Sequence, residues 1–283
     1  MAKILSGKEV SQRIKEELKV QVEELKGNGV NVGLAVVIVG DDPASRVYVN
    51  NKKKACEDLG IYSEEYALAE DTTEEELLTL IDELNAKKEI SGILVQLPLP
   101  KHLDEELVIN HINPTKDVDA FHPVNVGKIM QGNYDFVPCT PAGVMELIKE
   151  SGIDICGKEC VVVGRSNIVG KPMSMLLLHK HGTVTICHSK TQDLAEKTKR
   201  ADILVAAVGI PEFIKGDMMK EGAVVIDVGI NRVADKKLVG DVEFESCEKV
   251  ASAITPVPGG VGPMTIAMLM KNTVKAAIIN KED

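Results

Sequence analysis

The stretch Cys160-Val161-Val162-Val163-Gly164-Arg165-Ser166-Asn167-Ile168-Val169-Gly170-Lys171-Pro172 decides the fold. An apolar run meets a glycine turn, and a helix opens with Pro172 near its start. Gly164 lets the chain turn sharply. Gly170 lets the helix approach closely, and a helix N-terminus favours a phosphate. The spacing departs from G-x-G-x-x-G, because Ser166 replaces the middle glycine. Such turns are common, so context carries the reading.

Outward from this turn the pattern repeats. Cys160 to Val163, Thr183 to Cys187, Ile203 to Ala207 and Val224 to Asp227 read as strands, with helices over 171–181 and 193–200 between them. Continuous apolar strands alternating with helices imply a parallel sheet covered on both faces. Upstream, Ser6 and Glu9 open a helix as a capping box, and Val10, Ile14, Leu18 and Leu25 stripe one of its faces. Gly33 to Val39 is a continuous apolar strand. Pro43 opens a helix, 61–68 is a second strand, and Thr73 with Glu76 caps another helix. Ile93 to Leu97 is a buried strand closed by Pro98 and Pro100. Residues 114–141 are loop-rich and form the seam. The fold class is therefore α/β with two domains. One covers 1–120, with a closing helix over 264–283 packing back on it. The other, over 140–263, is a Rossmann-like parallel-sheet dinucleotide domain, and a cleft lies between the two.

Composition narrows the function. The 283 residues carry a formal charge of −10, which argues against nucleic acid as the main partner. No apolar run reaches membrane-span length. The N-terminus leads almost directly into a helix, with no signal-peptide core, so a cytoplasmic protein is expected. The six cysteines include no Cys-x-x-Cys pair and read as buried free thiols. No metal site is expected, because Cys156 and Cys160 have no partner at zinc spacing.

Four further features carry chemistry. Tyr48 and Lys52 lie four apart on one helical face, which Ala55, Cys56 and Leu59 continue. Lys53 and Lys54 point elsewhere. A lysine on an apolar face can work in proton transfer, or simply run its stem along the core. Gln96 is the polar residue in the run Ile93–Leu97, at the C-terminal end of a strand, where α/β proteins place ligand contacts. It could equally satisfy loop backbone. Asp117 and Asp119 share a loop, where turn chemistry is the plain alternative. Pro256–Pro263 is a Pro/Gly loop that can bring bare backbone amides to a ligand. Strand Thr183–Cys187 ends in His188-Ser189-Lys190, with no acid to repel a 2′-phosphate, so NADP is favoured over NAD. An ordinary polar turn would look the same.

Taken together, Tyr48-x-x-x-Lys52, Val95-Gln96-Leu97-Pro98-Leu99-Pro100, Asp117-Val118-Asp119, Pro138-Cys139-Thr140-Pro141, Gly164–Gly170, Asp227-Val228-Gly229-Ile230-Asn231 and Pro256–Thr265 resemble the bifunctional methylenetetrahydrofolate dehydrogenase/methenyltetrahydrofolate cyclohydrolase family. They cover nearly the whole chain in order. Ala120 departs from the glycine common there. The resemblance implies that the first domain binds folate and that Lys52, Gln96, Tyr48 and Asp119 are catalytic. Tyr48 would stack on the aminobenzoate ring, Gln96 would hydrogen-bond Lys52, and Asp119 would anchor the pterin. Val95, Leu97, Pro258, Gly259, Gly260, Val261 and Gly262 would border the folate. Gly164, Arg165, Ser166, Ser189 and Ile230 would bind NADP. The implied reaction oxidises 5,10-methylenetetrahydrofolate and then hydrolyses the methenyl product to 10-formyltetrahydrofolate, in one-carbon metabolism that feeds purine biosynthesis. A neutral lysine suits a site where a cation forms. Relatives pair as homodimers through the dinucleotide domain. The rivals are a monofunctional NADP-dependent dehydrogenase of the same family, a non-catalytic NADP-binding protein and, weakest, a zinc hydrolase.

Overall fold

The computed structural model describes residues 1–233 and 237–281, the side chain of residue 44 aside. The first part of the chain forms β1 (Lys3–Ile4), α1 (Gly7–Gly27), β2 (Gly33–Val39), α2 (Pro43–Leu59), β3 (Tyr62–Leu68), α3 (Glu74–Ala86), β4 (Gly92–Val95), α4 (Glu105–His111) and α5 (Pro123–Gln131). The second forms α6 (Cys139–Ser151), β5 (Glu159–Val163), α7 (Gly170–His179), β6 (Thr183–Cys187), α8 (Leu194–Thr198), β7 (Ile203–Ala206), β8 (Val224–Asp227), β9 (Asn231–Arg232), β10 (Leu238–Val239), α9 (Phe244–Glu248), β11 (Ala253–Ile254) and α10 (Val261–Ile279). Two compact units result. One comprises Arg13–Val137 with Ile266–Asp283, the other Met1–Gln12 with Pro138–Thr265.

The unit built on Arg13–Val137 holds a three-stranded parallel sheet in the order β3-β2-β4. All seven residues of central β2 are buried, as its continuous apolar run requires. Ala35, Val37 and Val39 pack with Ile93 and Val95 of β4 and with Leu77, Ile81 and Leu84 of α3. Helix α2 starts where its sequence dictates. Asp42 accepts from Ser45 N at 2.7 Å, Pro43 occupies the first turn, and Gly60 ends the helix in a left-handed conformation. The C-terminal helix belongs to this unit from Ile266 onward. Asn272 Nδ2 donates to Val118 O at 2.8 Å and to Val137 O at 2.9 Å, and Asn280 Nδ2 reaches Ser91 O and Thr115 O.

The other unit holds six parallel strands in the order β1-β11-β8-β7-β5-β6. This is a Rossmann-like doubly wound sheet. Counted from β5, its order is 2-1-3-4-5, so chain direction across the sheet switches between β5 and β7. Ligands gather beyond the carboxyl ends at such a point. Val161, Val163, Leu204, Ala206, Val225 and Ile254 form the buried core. The sequence reading began the chain at a helix, whereas β1 comes first and pairs with β11 at the far edge.

Candidate active site

Helix α2 carries Lys52 inward. Val49, Lys52, Ala55, Cys56 and Leu59 are buried, while Lys53 and Lys54 are exposed, as the helical spacing requires. Tyr48, one turn earlier, remains exposed. Cys56 donates to Met270 Sδ, and burial pushes its thiol up to about 12. It is a core group beneath the lysine.

Strand β4 ends at Val95, one residue before Gln96, which stands just outside the strand and half-buried. The strand's continuous apolar run stops there, and the backbone still holds: Gln96 N donates to Val37 O at 2.8 Å. The side chain has a fixed orientation. Gln96 Nε2 donates to Leu97 O at 2.7 Å, and a carbonyl can only accept. The amide oxygen therefore faces the lysine, and Lys52 Nζ donates to Gln96 Oε1 at 2.8 Å. Gln96 thus meets a loop carbonyl and the lysine at once. Lys52 and Gln96 lie at the carboxyl edge where β2 and β4 meet, the switch point of the three-stranded sheet.

The Lys116–Ala120 loop runs beside β4, because Ile93 N donates to Lys116 O at 2.8 Å and Ile93 bridges Asp117. Asp117 is a structural anchor. Its carboxylate accepts from Asn125 Nδ2 at 2.8 Å and His122 N at 2.9 Å, and burial pushes its pKa up. Lys116 Nζ donates to Leu84 O and Lys87 O, and burial lowers its pKa. Asp119, two residues beyond Asp117, is half-buried. Ala120 follows it, fully buried with φ +59°, the left-handed conformation that glycine adopts freely. The anchors Asn125 and Asn272 had no periodic signal in the sequence.

The dinucleotide turn sits at the other unit's switch point. Gly164 has φ +140°, and a Cβ there would fall 2.3 Å from Ala207 O. A Cβ on Gly170 would fall 2.3 Å from Gly164 O. Ser166, in place of the middle glycine, has its own role: its Oγ accepts from Val169 N at 3.1 Å and Gly170 N at 3.3 Å. As a hydroxyl it can also donate one hydrogen bond. Val163 pairs with Cys187, so Arg165 and Ser189 each leave the sheet two residues beyond one pair, and both are exposed. The turn carrying Ser189 is closed by His188, whose N donates to Thr191 Oγ1 at 2.8 Å and whose Nδ1 accepts from Lys190 N at 3.1 Å. Ile230, beyond β8, is exposed.

The Pro258–Gly262 segment belongs to the same unit as these residues. It packs on the start of α1: Lys8 N donates to Gly259 O at 3.2 Å, and a Cβ on Gly7 would strike Gly260 O. Val261 and Gly262 are already in the first turn of α10, where the sequence suggested loop until Met264.

Residues 5–119 match the family model for the tetrahydrofolate dehydrogenase/cyclohydrolase catalytic domain, and residues 138–281 match that for its NAD(P)-binding domain. A bifunctional FolD protein of Acetivibrio thermocellus is 76% identical, over 98% of this chain and 97% of its own. The crystal structure of the bifunctional FolD enzyme of Campylobacter jejuni superposes with a TM-score of 0.97 at 52% identity, covering 99% of both chains. The Trypanosoma brucei enzyme, solved with NADP cofactor and inhibitor, gives 0.96 at 40% identity, covering 100% of this chain and 99% of its own. The chain belongs to the tetrahydrofolate dehydrogenase/cyclohydrolase family. It is an enzyme with both of that family's activities and a nicotinamide-dinucleotide domain.

Proposed function

We propose that Lys52, held by Gln96, handles protons in a two-step reaction on folate. NADP-dependent oxidation turns 5,10-methylenetetrahydrofolate into the 5,10-methenyl form, and hydrolysis then gives 10-formyltetrahydrofolate. The observation that carries this reading is the 2.8 Å hydrogen bond from Lys52 Nζ to Gln96 Oε1 at a sheet switch point.

The chain's residues fit the cofactor. Gly164 makes a turn so tight that a Cβ would strike Ala207 O, β6 ends without an acid, and Arg165 and Ser189 leave neighbouring strands together. Arg165 and Ser189 hold the 2′-phosphate, Ser166 donates to a phosphate oxygen, and the Ile230 backbone borders the nicotinamide half. When bound, NADP supplies the hydride acceptor.

Loss of hydride leaves a methenyl carbon with positive charge shared over two nitrogens. Water adds to that carbon, and the Lys52 amine takes a proton from it, which passes on to solvent. The C–N5 bond then breaks as the carbonyl forms, and the hydroxyl proton moves to N5 through the same amine. Gln96 fixes one N–H of Lys52 and so orients the amine. Tyr48 stacks on the aminobenzoate ring. The Asp119 carboxylate accepts from the pterin's N–H donors. Val95, Leu97 and Pro258–Gly262 border the folate. On this reading Arg13–Val137 with the C-terminal helix is the folate domain, and Pro138–Thr265 with Met1–Gln12 is the NADP domain, in place of the expected 1–120 and 140–263.

The same reading makes the protein a cytoplasmic homodimer, paired through the NADP domain and supplying formyl groups for purine synthesis. Among the described residues no helix is long and apolar enough to cross a membrane. An isologous pair is the commonest oligomer, and light scattering that returns one chain per particle removes that part. The test of the activity is absorbance at the methenyl-folate band while NADP is reduced. The band should rise and decay as 10-formyltetrahydrofolate accumulates. A band that grows in step with NADPH and persists would leave a dehydrogenase alone.

A further inference from the structure

Two buried carboxylates lie beneath the loops that leave β7 and β8, and neither belongs to the reacting groups above. Asp241 is fully buried. Its Oδ2 accepts from Val208 N at 2.6 Å and Gly209 N at 2.9 Å, in the loop after β7. Its Oδ1 accepts from Asn231 Nδ2 at 2.9 Å, in the segment after β8. Asp227, at the end of β8, completes the arrangement. Its Oδ1 accepts from Gly229 N and from Asp241 N, and its Oδ2 from Val242 N, all at 2.9 Å.

The packing admits no other residues at two points. A Cβ on Gly229 would fall 2.2 Å from Asp241 Oδ1, and one on Gly240 would fall 1.8 Å from Asp227 Oδ2. Both loops thus hang on one pair of carboxylates through four hydrogen bonds, and two more tie the Asp241 segment to Asp227. Ile230 sits between two of the anchored residues, Gly229 and Asn231, and is itself exposed. Backbone amides alone could have closed these turns. Burying two carboxylates is expensive unless their hydrogen bonds are filled. What this clasp adds is a fixed distance between the β7 and β8 loops at the carboxyl edge of the sheet, beside the switch point.

We infer that Asp241, with Asn231 and Asp227, forms a positioning clasp that sets the β7 and β8 loops for the nicotinamide half of the cofactor, and so serves the dehydrogenase step alone. The inference rests on the reading of Ile230 as a cofactor contact. Hydrolysis of the methenyl compound needs no hydride acceptor, so the clasp has no part in it.

The experiment follows both activities in the full-length enzyme. Asn231→Ala removes one side-chain tie and leaves Asp241 its two backbone donors. The KM for NADP should rise about tenfold, the scale of one charge-assisted hydrogen bond. Hydrolysis of supplied methenyltetrahydrofolate should stay within about twofold. Asn231→Asp alone sets carboxylate against carboxylate and should be worse. Combined with Asp241→Asn it restores the bond with donor and acceptor exchanged, and should recover most of the NADP affinity. Parallel loss of both activities would make the clasp a mere folding element and overturn the inference. Hydrogen–deuterium exchange of residues 228–233 with and without NADP separates the two levels. Protection by NADP together with an unchanged KM in Asn231→Ala overturns the clasp and leaves the site reading intact. Absence of protection in the unmodified enzyme removes the cofactor contact at Ile230, and the clasp's role with it.

Discussion

Lys52 Nζ donates to Gln96 Oε1 at 2.8 Å, and Gln96 Nε2 is tied back to Leu97 O at 2.7 Å. The second bond gives the first its meaning. Because the amide cannot rotate without setting its oxygen against a carbonyl, Gln96 always offers Lys52 an acceptor. Gln96→Leu removes both bonds while keeping size and should slow hydrolysis of methenyltetrahydrofolate by about tenfold or more, a part of the 10²–10⁴ that a positioned acid–base group contributes. Adding Lys52→Met should cost little more, because groups that act as a unit are not additive. Multiplying losses in the double variant would make Gln96 a separate substrate contact.

Arg165 and Ser189 emerge beyond the Val163–Cys187 pair of adjacent parallel strands. Arg165→Ala should raise the KM for NADP by about tenfold, since a hydrogen bond to a charged group is worth about 1.5–3 kcal/mol. Any weak activity with NAD should hardly change. Steady-state kinetics with the two cofactors decides it, and equal losses would count against the 2′-phosphate role.

Ala120 holds φ +59° with its side chain fully buried, directly after Asp119. A left-handed alanine costs about 1–2 kcal/mol, and glycine loses about 0.5–1 kcal/mol more backbone entropy on folding. Losing the buried methyl costs about 0.8 kcal/mol more, so Ala120→Gly should stabilise the fold by no more than about 0.5 kcal/mol, seen as a urea midpoint that stays level or rises slightly. A lower midpoint would mean that the alanine fits this turn without strain.

Burial pushes the Asp227 carboxyl up to about 7, against three backbone N–H groups that favour its ionised form. Asp241 beside it pushes in the same direction as burial. Glu212, Lys237, Glu243, Glu245 and Lys249 line the cavity it borders. Between about pH 4 and 7 the folded state holds a proton there that the unfolded state has released. Stability therefore falls as pH rises through that window, by up to about 1.4 kcal/mol per pH unit, and the dependence ends above it. Urea unfolding at several pH values should show this slope in the unmodified protein relative to Asp227→Asn. Matching slopes would place the Asp227 pKa outside the window.

The legible parts of this molecule are those in which periodicity and burial coincide. Gly33–Val39 reads as a strand because every residue is apolar, and every residue is buried. The aim of Lys52 follows from helical spacing, since residues 52, 55, 56 and 59 share a face. Its partner, 44 residues along, becomes a neighbour through the parallel order β3-β2-β4. Edge strand β1 left no pattern, because both Lys3 and Ile4 are exposed and its register comes from distant β11. Asp241 was equally silent. A buried acid among glycines looks like a turn until the six hydrogen bonds around it and Asp227 are seen together.

Supplying methenyltetrahydrofolate directly to Lys52→Met, and following its absorbance without NADP, tests the central claim most directly. The substitution keeps length and apolar packing on a face that is already buried, so folding should survive, which circular dichroism can check. The expected result is a folded protein in which the methenyl band decays about 10²–10⁴ times more slowly than with the unmodified enzyme. Decay at the unmodified rate would contradict the assignment of proton handling to Lys52.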